Sequence, residues 1–170
     1  MKSPLSYLFV SIILLIVFSS CSSKYIWTDV NRTAPAIQRN TVEGEMISFP
    51  DEGRITVIHF FTITEPVSRA SLKPFQEVYD RLDKKNGVQV LSVNVGWGVS
   101  ESQLKTALSK ENVTYPVVFD GQRMVQNKFQ VSSVPQTAIV NKNGIVDWVM
   151  HGYRDDIDFA QKIINKVNQL

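Results

Sequence analysis

Three side chains near the middle of the sequence have the types that acid–base or nucleophilic chemistry uses. His59, Glu65 and Ser68 lie within one short stretch, residues 59–68. A histidine, a carboxylate and a serine form a hydrolytic triad when they share hydrogen bonds and face an oxyanion hole. The sequence contains no Gly-x-Ser-x-Gly turn of the kind that exposes such a serine. A serine hydrolase is therefore disfavoured, and we predict no catalytic residue.

A metal site built from His59, Glu65 and His151 is also disfavoured. The two histidines are far apart in the sequence, and neither belongs to a spacing that metal sites use. The one cysteine, Cys21, leaves no partner for an intramolecular disulfide, a cysteine-rich metal site or a Cys-x-x-Cys pair. Peroxidase chemistry would need a reactive thiol within the domain. We therefore predict neither a metal nor a cofactor.

The stretch that carries these side chains is predicted to be a buried strand followed by a helix. Residues 55–61 are rich in β-branched and aromatic side chains, which are typical of a strand. Apolar residues at three- and four-residue spacing predict a helix from about Glu65 to Lys84. Thr64 is the expected N-cap, and Pro66 fits the first turn because an amide there has no intrahelical partner.

His59 lies on the predicted strand, and two interpretations of it remain open. It could form a hydrogen bond with Ser68 or Glu65 and titrate near neutral pH. It could equally be a buried histidine whose ring nitrogens are satisfied within the sheet.

The remaining sequence alternates strands and helices, which predicts an α/β domain. Residues 88–95 form a second apolar strand, and the strand–helix–strand order predicts parallel pairing with the first. Residues 100–103 form a capping box at the start of the next helix. Residues 137–150 predict a hairpin with an Asn-Gly turn, and Asp155 or Asp156 is expected to cap a last amphipathic helix.

Two segments resemble a known family. Residues 60–69, Phe-Phe-Thr-Ile-Thr-Glu-Pro-Val-Ser-Arg, resemble the helix-opening segment Phe-Trp-Ala-Thr-Trp-Cys-Pro-Pro-Cys-Arg of the TlpA and ResA thiol-disulfide oxidoreductases. Residues 131–137, Val-Ser-Ser-Val-Pro-Gln-Thr, are similar to the cis-proline loop of that family. The resemblance implies a thioredoxin fold, which is an α/β domain with a central mixed sheet flanked by helices, here preceded by a short strand hairpin.

The family resemblance implies thiol–disulfide exchange, but the sequence departs from the family at the two positions that carry this chemistry. Glu65 and Ser68 stand where the family has its two cysteines, and a register one residue earlier would place Thr64 and Val67 there. None of these residues supplies a thiol for disulfide exchange. We therefore predict a non-catalytic binding or assembly protein, with oxidoreductase activity as the alternative.

The same family uses a groove beside its cysteines, where the backbone before the cis-proline pairs with an extended substrate segment. Such main-chain hydrogen bonds need no sulfur, so a peptide or protein of the cell envelope is the candidate partner. Structural inheritance without binding is the other interpretation, with Pro135 kept because the loop folds around it. The residues of the corresponding groove are His59, Thr64, Pro66, Val67, Val134 and Pro135, with Pro135 as the implied cis-proline.

The amino terminus is predicted to be a lipoprotein export signal. Residues 1–20 combine Lys2 with an apolar run that is short for a membrane span. Residues 17–21 resemble a bacterial lipobox, which implies that lipid is attached to Cys21. The predicted organisation is a signal peptide at residues 1–20, a lipid-anchored tether at residues 21–33 and a thioredoxin-like domain at residues 34–170.

This organisation predicts a protein that is held in the cell envelope and faces the periplasm or the extracytoplasmic side. The outer membrane is expected if the source is Gram-negative, and an uncleaved signal anchor is the alternative to lipid attachment. The formal net charge of +2, with dispersed Lys and Arg, does not indicate a nucleic acid partner.

Overall fold

The computed structural model describes residues 30–83 and 85–170 of the 170-residue chain. The predicted signal peptide, Cys21 and most of the predicted tether lie outside the described residues. No helix within the described ranges has the length and apolar character that crossing a membrane requires.

The described residues form seven strands and five helices. The strands are β1 (Ile37–Asn40), β2 (Met46–Phe49), β3 (Ile55–Phe61), β4 (Val88–Asn94), β5 (Val117–Phe119), β6 (Gln136–Val140) and β7 (Val146–His151). The helices are α1 (Pro66–Ala70), α2 (Leu72–Leu82), α3 (Glu101–Lys110), α4 (Met124–Phe129) and α5 (Phe159–Val167).

A five-stranded mixed sheet forms the centre of the domain, with the strand order β5-β4-β3-β6-β7. β3 pairs in parallel with β4, and β6 pairs antiparallel with β3 and β7, which confirms the predicted parallel pair and hairpin. β1 and β2 form a separate two-stranded sheet before it. The α/β fold class implied by the resemblance is therefore confirmed.

β3 is the central strand, and all of its residues are buried. Its alternate residues face two apolar layers. Val57 and Phe61 face the layer that includes α2 and α5, whereas Ile58 and Phe60 face the layer that includes α4. A strand covered on both faces accepts a polar side chain only where hydrogen bonds satisfy it. β3 contains two such side chains, Thr56 and His59, and His59 is the ionisable one.

The single helix predicted for residues 65–84 is two helices in the structure, α1 and α2, which meet at Ser71. Pro74 explains the break, because it has no amide hydrogen for the carbonyl four residues earlier. The amide of Ser71 donates to the carbonyl of Ser68, which is a tighter turn than an α-helix makes. The second helix ends at Leu82, short of the predicted end.

One predicted helix cap is confirmed and another is wrong. Ser100 and Gln103 form the predicted capping box of α3. Residues 155–156, however, do not cap α5. Asp158 does so by accepting from the amide of Gln161 at 2.8 Å, because the helix begins only at the residue after Asp158.

Residues 31–33, at the end of the predicted tether, are attached to the sheet. The amide of Asn31 donates to the carbonyl of Val146 at 2.7 Å, and Thr33 forms an antiparallel bridge with Ile145. These bonds extend the edge of the sheet beside the start of β7.

Candidate functional site

The residues of the groove that the resemblance implies come from two segments, one that follows the end of β3 and one that precedes the start of β6. Phe60 is opposite Gln136 in the antiparallel register, so the chain after Phe61 and the chain before Gln136 leave the sheet side by side. The first leads into α1, and the second is the loop that contains Val134 and Pro135. The Val134–Pro135 peptide is cis, as the resemblance implies.

Thr64, Glu65, Pro66 and Val67 form an exposed edge at the start of α1. Glu65 is the N-cap, so the prediction that Thr64 caps the helix is wrong. The hydroxyl of Thr64 lies 3.0 Å from that of Thr62 and does not bond to the helix amides. Pro66 occupies the first turn as predicted. Val67 is 53% exposed and gives this edge an apolar surface.

Ser68, the other position where the family has a cysteine, is buried. Its Oγ accepts a hydrogen bond from the amide of Thr62 at 2.8 Å. The hydroxyl therefore holds the end of β3 against α1 and is not presented to solvent. The two positions thus differ: residue 65 is open to a partner, and residue 68 is part of the core.

His59 is fully buried, and its ring nitrogens bond to two hydroxyl groups. Nε2 lies 2.9 Å from Oγ of Ser71, and Nδ1 lies 3.0 Å from Oγ1 of Thr137. The structure does not support the interpretation in which His59 bonds to Ser68 or Glu65, because Ser71 and Thr137 take its two ring nitrogens. The arrangement supports the other interpretation, a histidine satisfied by its neighbours in the core.

Burial lowers the pKa of His59 from 6.5 to about 3, because desolvation penalises the charged imidazolium. The ring also stacks on Phe75 with a centroid distance of 4.6 Å, and it contacts Phe61 and Phe159. The histidine is therefore neutral near pH 7 and is enclosed by aromatic rings. This environment does not suit a general acid or base that exchanges protons with a substrate.

His59, Glu65 and His151 do not form a metal site in the structure. Both nitrogens of His59 are occupied by hydroxyl groups, and Glu65 lies on the exposed edge of α1. Across residues 30–83 and 85–170, no three or more His, Cys, Asp or Glu side chains are grouped so that they could hold a metal ion.

A second polar cluster supports the cis-proline loop from the layer that contains α4. The buried Gln126 donates from Nε2 to the carbonyl of Val131 at 2.9 Å and accepts from the indole of Trp97 at 3.3 Å. The backbone amide of Gln126 donates to the carboxylate of Asp120 at 2.8 Å. The sequence pattern did not indicate this role, because nothing local distinguishes Gln126 from other polar residues on a short helix.

Residues 30–149, more than half of the chain, match the AhpC/TSA family. The chain belongs to the AhpC/TSA family. Thiol-disulfide oxidoreductase ResA of Geobacillus thermodenitrificans is 30% identical over 138 residues, which cover 79% of this chain and 76% of that protein. This AhpC/TSA chain is therefore a relative of the ResA proteins, as the two sequence segments indicated.

Two further similarities concern Bacillus subtilis proteins. Sporulation thiol-disulfide oxidoreductase A is 29% identical over 108 residues, which span 63% of this chain and 65% of that protein, slightly less than two thirds of its length. The crystal structure of StoA matches with a TM-score of 0.68 at 23% identity, over 78% of this chain and 96% of that chain. The structural match confirms the thioredoxin fold of this AhpC/TSA family member.

The buried histidine predicts a loss of stability in acid. In the unfolded chain the imidazole binds a proton near pH 6.5, whereas in the folded protein it does so only near pH 3. Well above pH 6.5 the imidazole is neutral in both states and does not change the free energy of unfolding. As the pH falls through 6.5 toward 3 the unfolded chain takes up a proton, so the free energy of unfolding decreases, by about 2 kcal/mol at about pH 5. Urea denaturation at about pH 7 and about pH 5 measures this change.

In His59→Gln the same acid-dependent decrease should be absent, because glutamine does not titrate. The difference in unfolding free energy between wild type and His59→Gln should therefore shrink as the pH is lowered. His151→Gln is the matched control, since it removes the other histidine of the described residues, an exposed one whose pKa desolvation also lowers. This variant should keep most of the decrease. Equal acid sensitivity of wild type and His59→Gln would contradict the prediction.

The exposure of residue 65 and the burial of residue 68 predict that two thiols placed there would support disulfide exchange. An accessible thiol attacks and a second thiol nearby resolves the mixed disulfide. In a Cys21→Ser background, Glu65→Cys combined with Ser68→Cys should catalyse the reduction of insulin by dithiothreitol. Cys21→Ser alone and Cys21→Ser with Ser68→Cys should match the uncatalysed rate. A folded but inactive double-cysteine variant would show that the helix start no longer has the family's geometry.

Proposed function

We propose that this chain is an exported, membrane-anchored thioredoxin-like protein that binds extended peptide segments of envelope proteins without disulfide exchange. The binding site is the groove between the exposed edge of α1 and the loop that contains Val134 and Pro135. The observation that carries the proposal is the contrast between the two positions where the family has cysteines. Glu65 and its neighbour Val67 are exposed at the groove, whereas Ser68 is buried and bonded to Thr62.

The chemistry of the groove favours main-chain pairing with a neutral or basic segment. The loop leads directly into β6, so an extended segment beside Val134 would continue the pattern of the sheet. Val67 provides apolar contact, and the exposed carboxylate of Glu65 attracts positive charge. These contacts require neither a nucleophile nor a cofactor.

Thiol–disulfide oxidoreductase activity is the second candidate function, and membership of the AhpC/TSA family favours it. The names of the ResA and sporulation relatives state this activity for those proteins. The exchange reaction needs an attacking thiol and a resolving thiol. This sequence contains Cys21 as its single cysteine, and neither residue 65 nor residue 68 is a thiol, so binding is the better-supported function. Insulin reduction by the Cys21→Ser chain would favour the second candidate.

The proposed location rests on residues 1–21, which read as an export signal followed by a lipid-modified cysteine. Acylation of Cys21 would hold the domain at the membrane, because two or more acyl chains give stable attachment. Labelling with radioactive palmitate should therefore mark wild type and not Cys21→Ser. Equal labelling of both proteins would contradict lipid attachment at this residue.

The groove itself can be tested with a photoreactive residue at position 67. Crosslinks to envelope partners should form there, and Val134→Pro should weaken them about fivefold, since a hydrogen bond contributes about 1 kcal/mol. Glu65→Ala should weaken crosslinks to basic segments more than crosslinks to neutral ones. Met46, which is 62% exposed on the separate β1–β2 sheet, provides the control position for non-specific crosslinking.

Circular dichroism must first show that each variant is folded. Retention of every crosslink in folded Val134→Pro and Glu65→Ala would mean that the groove is inherited structure without a binding role.

A further inference from the structure

The imidazole of His59 lies inside the domain and bonds to the two elements that carry the walls of the proposed groove. Through Nε2 it contacts Ser71, at the junction between α1 and α2. Through Nδ1 it contacts Thr137, two residues after Pro135 on the strand that leaves the cis-proline loop. One buried ring therefore lies between the helix that carries Glu65 and the strand that carries the loop.

The hydrogen bonds of Ser71 determine which ring nitrogen of His59 carries the proton. Oγ of Ser71 donates its only hydrogen to the carbonyl of Ser68 at 2.6 Å, because a carbonyl can only accept. Oγ of Ser71 must then accept from His59, which places the hydrogen on Nε2. A neutral imidazole has one N–H, so Nδ1 accepts from the hydroxyl of Thr137. Each hydrogen in this series of hydrogen bonds therefore has a single acceptor.

The surroundings of the ring keep it in this orientation. Phe75 stacks on it at 4.6 Å with an interplanar angle of 21°, and Phe61 lies nearly parallel to it at 6.1 Å. Phe159 meets it edge-on at 5.8 Å. A ring held between aromatic neighbours cannot turn to exchange partners without disturbing the core. The two hydrogen bonds therefore have fixed directions, one toward the helix junction and one toward β6.

We propose that His59 is a positioning residue that sets the spacing of the groove walls by bonding Ser71 and Thr137 at the same time, as the tautomer protonated on Nε2. This inference rests on the proposed peptide-binding function for its biological meaning. The spacing of the two walls is a property of the protein without a peptide, so it can be measured whether or not a peptide binds. Loss of either bond should loosen one wall relative to the other.

The proton assignment can be tested by NMR on protein labelled with ¹⁵N-histidine. Long-range ¹H–¹⁵N correlation spectra should show, for His59, a protonated Nε2 and an unprotonated Nδ1 at about neutral pH. In Thr137→Val the Nδ1 signal should shift because its hydrogen-bond donor is lost, while Nε2 stays protonated. A proton on Nδ1 in wild type, or on both nitrogens, would overturn the proposal.

The wall spacing can be measured by electron paramagnetic resonance between spin labels on the two walls. In a Cys21→Ser background, cysteines introduced at the exposed positions 67 and 132 carry the labels. Thr137→Val and His59→Leu should broaden the label–label distance distribution relative to the parent. His59→Gln keeps an amide donor for Ser71 and should recover part of the narrow distribution. Thr56→Val is the matched control, since it removes a buried hydroxyl on β3 that bonds to Gln89, away from the groove.

The outcomes separate this inference from the proposed function. An unchanged distribution in folded Thr137→Val, or equal broadening in Thr56→Val, would overturn the positioning role. Thr137→Val keeps this test available if His59→Leu does not fold. A broader distribution in Thr137→Val together with undiminished crosslinking from position 67 would support the positioning role and count against peptide binding in the groove.

Discussion

The burial of a polar ring in the central strand is the constraint on which the rest of this site depends. His59 lies in β3 between β4 and β6, with both faces of the sheet covered. An unpaired donor or acceptor at such a place costs about 1–3 kcal/mol, so the ring must be neutral and must find two partners in the protein. Ser71 and Thr137 meet this requirement, so the ring bonds both to the helix junction and to β6, the strand that also pairs with β3 through the backbone.

The helix break is part of the same arrangement. Ser71 lies where α1 and α2 meet, and its side-chain hydroxyl bonds to the ring at this junction. Ser71 also satisfies the carbonyl of Ser68, and Ser68 in turn accepts from Thr62 at the end of β3. A line of hydrogen bonds thus runs from the end of the central strand, through the helix junction and the imidazole of His59, to Thr137 on the next strand.

The fold of the family and the chemistry at its site are decided by different residues. The AhpC/TSA match and the likeness to StoA establish what the domain looks like, while side chains at the helix start decide what it can do. Here the buried position is held by a serine hydroxyl engaged in the core, and the exposed position carries a carboxylate. Residues 64–67 are exposed beside this serine, and the proposed peptide binding would use the shape, charge and backbone of this surface.

The sequence by itself determined the fold class, the central strand, the hairpin and the capping box of α3, because each of these depends on a local pattern. It also determined that thiols are absent from residues 65 and 68, since residue types need no structure to be read. Only the tertiary structure decided the partners of His59, which lie 12 and 78 residues away in sequence. The same holds for the contact of Gln126 with Trp97, 29 residues away in sequence, whereas the cap of α5 is a local contact that the sequence prediction placed two or three residues too early. The physical reason is that a buried polar group takes its partners from whichever elements pack against it, and packing between distant elements leaves no local pattern in the sequence.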